Sequence, residues 1–148
     1  MKFEKFFKMA GTHGCIVKRS EAENWLVCGG VGMRIPEGVN NLGVSQDPDA
    51  VFTAIMHSDT GADVLGLKEA ILRDPEGKAN DIIRVFETEL GDRIGIYNAN
   101  YGLLEKKDVL TYLEIEDDSE EDVKTLKYLV VLDYAGEIVG FINGSETI

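Results

Sequence analysis

Four side chains of the kinds that ligate metals or work as a nucleophile–base pair lie in the N-terminal part of the chain: His13, Cys15, Cys28 and His57. Imidazole and thiolate suit zinc. Structural zinc sites, however, use close ligand pairs such as Cys-x-x-Cys, and only His13-x-Cys15 is close here. On that spacing no metal and no cofactor is expected. Cys15 with His13 or His57 is also the one pairing that offers an activated nucleophile. The neighbouring run Gly29-Gly30-Val31-Gly32 has the glycines that let backbone N–H groups approach an anion. No Lys-Ser/Thr follows it, and Pro36 stands where a helix would begin, so a tight turn or bulged strand end explains it better. Together these residues define one reading, a small enzyme or small-ligand-binding domain using residues 29–32 with His13, Cys15 or His57.

A second chemistry is charge. The chain of 148 residues has a formal net charge of −12. Residues 1–74 account for −2 and residues 75–148 for −10. The densest acidic run covers residues 114–122 and includes Asp117, Asp118, Glu120, Glu121 and Asp122. It lacks the glycine and alternating ligands of an EF-hand loop, so calcium binding is not expected. A solvated loop or a docking surface for a protein partner is. Such a field repels phosphate backbones, and no basic patch opposes it, so no direct nucleic-acid partner is expected. Tyr97 and Tyr101, around Asn98-Ala99-Asn100, add a polar and aromatic turn of the sort found at binding surfaces.

The elements that must position these groups follow from periodicity. Residues 126–132 and 138–142 are apolar runs flanking Asp133-Tyr134-Ala135-Gly136-Glu137, the pattern of a hairpin whose strands are covered on both faces. Residues 128–142 resemble a central hairpin of the GCN5-related N-acetyltransferases. That likeness covers the hairpin alone. The glycine-rich pyrophosphate loop that follows in the family has no counterpart in the six residues after Ile142, so the resemblance implies similar packing and no activity.

Phe3, Phe6 and Phe7 recur at helical spacing among Lys2, Glu4, Lys5 and Lys8, which predicts an amphipathic helix. Residues 15–19 and 25–28 predict a hairpin with a five-residue connection. Asp47-Pro48 predicts a helix start, with Asp47 as cap, or failing that a strand over 51–56. Residues 62–73 and 79–90 place apolar side chains on helical stripes, Gly91 ending the second. The rival is a hairpin across 67–88 turning at Asp74-Pro75-Glu76-Gly77. Residues 93–97 and 109–115 read as strands.

The expectation is a single α+β domain over residues 1–148, with a mostly antiparallel sheet, two to four packed helices and the C-terminal hairpin central. The first residues interrupt their apolar positions with charges, and no run approaches the ~20 apolar residues of a membrane span. With two cysteines, a reduced cytoplasmic setting without membrane contact is expected. The favoured function is a non-enzymatic acidic protein-binding module, serving as regulator, inhibitor or assembly component, and equally at home in a phage or mobile element.

Overall fold

A computed structural model describes residues 1–39, 43–58, 62–72, 82–118 and 121–145. In chain order the elements are α1 (Phe3–Ala10), β1 (Cys15–Ser20), β2 (Glu23–Cys28), β3 (Val31–Arg34), β4 (Ser45–Gln46), α2 (Ala50–Met56) and β5 (Ala62–Leu72). There follow β6 (Ile82–Thr88), β7 (Arg93–Tyr97), α3 (Asn98–Tyr101), β8 (Val109–Asp117), β9 (Lys124–Leu132) and β10 (Ile138–Asn143). Strands dominate, and they form one sheet in the order β4-β1-β2-β3-β10-β9-β8-β5-β6-β7. Every pairing is antiparallel except β1 with β4.

β9 and β10 lie in the middle of that order. Asp133 shapes their connection: its Oδ1 accepts from the N–H groups of Ala135 and Glu137, while Gly136 takes the left-handed φ of 83° that the turn requires. Alternation along the strands divides their side chains between two faces. Leu129 and Ile142 pack on one face with Leu26, Met33 and Tyr112, under Phe6 of α1 and Ile94 and Ile96 of β7. Tyr128, Val130 and Phe141 pack on the other with Val17 and Trp25, under Phe52, Ile55 and Met56 of α2. Thus β6 and β7 curl back over the α1 face, while a short helix covers the α2 face. The Ser145 N–H donates to the Gly95 carbonyl at 2.6 Å and ties the curl down. Gly144 permits it, because a Cβ there would press on Ile94 and the Lys127 carbonyl.

Several sequence expectations change. The helices expected over 62–73 and 79–90 are strands β5 and β6, paired in antiparallel register from Val64↔Thr88 to Leu72↔Ile82. Ile82, Ile83, Val85 and Phe86 fit a helical stripe and a strand almost equally well, and their β-branched and aromatic character prevails once β7 offers hydrogen bonds. Leu90, which the helical stripe would bury, is 76% exposed. Gly91 sits in the β6–β7 turn, where Thr88 Oγ1 accepts from Leu90 and Asp92. The Asp74–Gly77 turn lies outside the described residues. The helix after Pro48 forms, but its cap is Asp49 and not Asp47: Asp49 Oδ1 accepts from the Phe52 N–H at 2.7 Å. β1 and β2 extend further than expected, leaving only Glu21 and Ala22 between Ser20 and Glu23. Residues 98–101, expected as a turn, form the single helical turn α3.

Candidate functional site

Between α2 and the sheet lies a cleft of about 420 Å³. Its rim carries His13 from the turn after α1, Cys15 from the start of β1, Gly29 and Gly30 from the β2–β3 turn, and Asp47 and Asp49 from the lead into α2. Its floor includes Val27, Phe52, Tyr128 and Phe141. The rings are fixed by one another: Phe52 and Tyr128 each meet Phe141 edge to face, with centroids 6.1 and 5.8 Å apart. Behind them Trp25 stacks on Phe141 at 5.9 Å and meets Phe52 at 5.5 Å. Its indole N–H is buried with no acceptor among the described residues.

Tyr128 is 95% buried by its 5% relative exposure, and its hydroxyl makes no hydrogen bond to the described residues. Burial raises its pKa above the ordinary phenol value, and the negative charges of Asp49 and then Asp117 raise it further. Those two carboxylates reach Tyr128 from different parts of the chain. Asp49 arrives with the cap of α2. Asp117 arrives through strand alternation: Leu113, Ile115 and Asp117 share the α2 face of β8, and Leu113 pairs with Tyr128. An apolar floor with a neutral phenol and carboxylates near it is suited to holding a cationic group with an apolar stem.

The residues singled out for other chemistry fall as follows. Cys15 pairs with Val27 and so faces the α2 side, whereas Cys28, the next residue along, packs on the α1 side. Their side chains therefore leave the sheet on opposite faces, although both residues line the cleft, Cys28 at the end of β2, and no disulfide joins them. Among the described residues no three His, Cys, Asp or Glu side chains gather as a metal site. No side-chain hydrogen bond joins His13 to Cys15 among them. His57 is exposed at the C-terminal end of α2 and does not line the cleft. Gly29 and Gly30 form a two-residue hairpin turn with φ of 58° and 79°, the positive values a type I′ turn needs. Gly32 pairs with Phe141, whose ring lies where a Cβ would stand. The glycine run is thus accounted for by the turn and the ring.

The acidic run is only partly a loop. Glu114, Glu116 and Asp117 belong to β8, where Glu114 is opposite Lys127 and Asp117 opposite Lys124, so lysines on β9 offset part of the charge. Asp118, Glu121 and Asp122 are exposed in the β8–β9 connection, and Glu120 lies outside the described residues. Tyr97 and Tyr101 do not join them. They sit at the opposite end of β7 from Arg93, whose carbonyl meets Lys127 Nζ at 3.5 Å. Tyr101 is held beneath the Arg84 guanidinium, 5.0 Å from its ring centre, with Arg84 Nε donating to Asn98. Tyr101 is therefore packed within the fold and not presented beside the carboxylates.

Sequence reasoning passed over Asp47, Asp49 and Tyr128 as site residues. The one signal for Tyr128 is a phenol at the head of the apolar run 128–132, since a hydroxyl carried into a core calls for a polar surrounding. Comparison of the chain with known protein families, curated proteins and solved structures finds no match.

Proposed function

We propose that the protein is a binding module for a positively charged segment of a protein partner, received on the α2 face at the cleft and the adjoining end of β8. The observation that carries this reading is the place of Tyr128 on the cleft floor, with the carboxylates of Asp47 and Asp49 on the rim of the same cleft and the charges of Asp49 and Asp117 acting on its hydroxyl. The net charge of −12 supports it, because a field of that sign accelerates encounter with cations and rejects polyanions. A module of this kind serves as a regulator, an inhibitor or an assembly component.

The test uses Trp25, the single tryptophan of the chain, whose ring touches two residues of the cleft floor. Titration with a lysine- and arginine-rich peptide is expected to change its fluorescence, with affinity that falls as salt is raised. Changing Asp47, Asp49 and Asp117 together to asparagine is expected to weaken binding more than changing Asp118, Glu121 and Asp122, which sit on the solvated connection. No binding at low salt, or equal losses in both variants, would remove the cleft from the proposal.

A second reading, a small-ligand site, is favoured by one observation: the same cleft brings His13, Cys15, Gly29 and Gly30 to a single rim. Protection of Cys15 from alkylation by a small molecule that leaves basic peptides unbound would favour it over the first.

A further inference from the structure

We infer that the groove beside α1 receives the acidic residues ahead of β9 from a second copy of this chain, so that copies join end to end. The contact lies on the α1 side and makes no use of the cleft.

The groove encloses about 740 Å³ between α1 and the segment after β3. Phe3, Phe7, Pro36 and Val39 give it apolar walls, and Phe7, 6.1 Å from the Phe3 ring, is still 45% exposed. Lys2, Lys5 and Lys8 follow one another along it at intervals of three residues. Lys5 Nζ donates to the Gly102 carbonyl at 3.3 Å, whereas the side chains of Lys2 and Lys8 have no partner among the described residues. Of the two acids at the groove, Glu105 is held by Lys107 at 3.4 Å, so the lysines outweigh Glu4. In a chain of net charge −12 this is a basic, apolar island.

Its complement is on the same chain. Glu121, Asp122 and Val123 are exposed just before Lys124 opens β9, and Val123 shows 61% of its surface. An apolar side chain beside two carboxylates is the reverse of an apolar groove rimmed by lysines. The two cannot meet within one copy. At one end of α1 the Met1 side chain lies where a Cβ of Gly140 would stand, and at the other Ala10 and Leu26 both crowd Gly14. Leu26 pairs with Met33, Met33 with Gly140 and Gly140 with Val131, so α1 runs across the sheet along that row. Lys124 is seven residues from Val131 along β9, about 23 Å at the rise of a strand. Groove and tip therefore belong to opposite ends of the strands, and their meeting is a head-to-tail contact that does not close at two copies. The net charge opposes the approach of free copies, but salt near 0.15 M screens that repulsion beyond about 8 Å, while lysines and carboxylates in contact lie well inside it.

Sedimentation velocity of the whole chain at about 0.15 M salt is expected to show a mass that grows with concentration past that of two copies. A mass that stays at one copy, or stops at two, would overturn the inference. Lys2→Glu with Lys8→Glu reverses the groove, and Glu121→Lys with Asp122→Lys reverses the tip. Each variant alone is expected to remain single, and their mixture to assemble, because every groove then meets a tip of opposite charge; assembly of either variant alone, or none in the mixture, refutes the contact. Val123→Ser is expected to weaken association about tenfold, the scale of one buried apolar side chain. Carbodiimide coupling of the unmodified chain decides without any substitution: Lys2 or Lys8 joined to Glu121 or Asp122 is expected in the linked copies, and its absence from them counts against the contact.

Discussion

The two faces of the central sheet are finished differently. On the α1 side, Leu129 and Ile142 lie beneath both a helix and the returning strands β6 and β7, and Ile94, Ile96 and Leu103 are wholly buried. On the α2 side, Trp25, Phe141 and Tyr128 lie beneath seven helical residues, and the space those residues leave is the cleft. A sheet face closed by another layer of sheet has all its apolar area spoken for, whereas one closed by two turns of helix retains an opening whose walls are apolar and whose rim is the helix cap. The first side holds the more fully closed core, and the second is where the proposed binding cleft lies.

The comparison can be broken most forcefully at Leu129. Leu129→Ala is expected to cost about 2–5 kcal/mol, because the closed α1 side cannot collapse around the lost volume, with unchanged basic-peptide affinity in the fraction that remains folded. Denaturant titration paired with peptide titration checks this, and a loss under 1 kcal/mol would mean that the α1 side is no better closed than the other. Asp49 separates the two roles on the α2 side. Asp49→Ala removes both cap and charge and is expected to cost about 1 kcal/mol of stability, whereas Asp49→Asn keeps the cap, with stability nearly unchanged. Both are expected to weaken peptide binding. If only the alanine variant does so, Asp49 matters through α2 alone.

The smallest effect at neutral pH comes from the tyrosines, one on each side. Tyr112 is buried on the α1 side and donates to Glu114; its pKa is raised by burial first, then by that hydrogen bond and by the charges of Glu114 and Asp92. Tyr128 is raised by burial and by Asp49 and Asp117. In each case the folded chain keeps a proton that the unfolded chain releases, so the stabilisation is complete below about pH 10 and is lost as pH rises beyond it. Unfolding free energy is expected to fall on that alkaline side, and Tyr112→Phe and Tyr128→Phe should each flatten the fall. An alkaline limb unchanged in both variants would show that neither phenol is held as described.

What could be read in advance follows the same division. The β9 and β10 runs are continuous and apolar on both sides, a pattern with few competitors beside a glycine turn, and they read as central strands from residue types alone. Residues 62–90 do not, since Ile82, Ile83 and Phe86 fall on a helical stripe as readily as in a strand with apolar side chains on both faces, and only the pairing with β7 decides between them. At the site, Asp117 is visible as part of an acidic run. Its partners are not: Asp49 is 68 positions earlier in sequence and Tyr128 sits on another strand. Their convergence depends on where α2 crosses the sheet, which no local pattern encodes. The relation of Cys15 to Cys28 is hidden for a related reason, because a hairpin still leaves each side chain to one face or the other.

The pairing of β10 with β3 joins Gly140 to Met33 and Ile142 to Val31, so the middle of the sheet is a seam between the beginning and the end of the sequence. During synthesis β1, β2 and β3 therefore emerge long before the strand that completes them, and β3 waits with one row of amide and carbonyl groups uncovered. Loop closure over that span must precede the contacts that reward it, an arrangement that slows folding relative to one built from local pairings and leaves a strand edge to guard in the meantime.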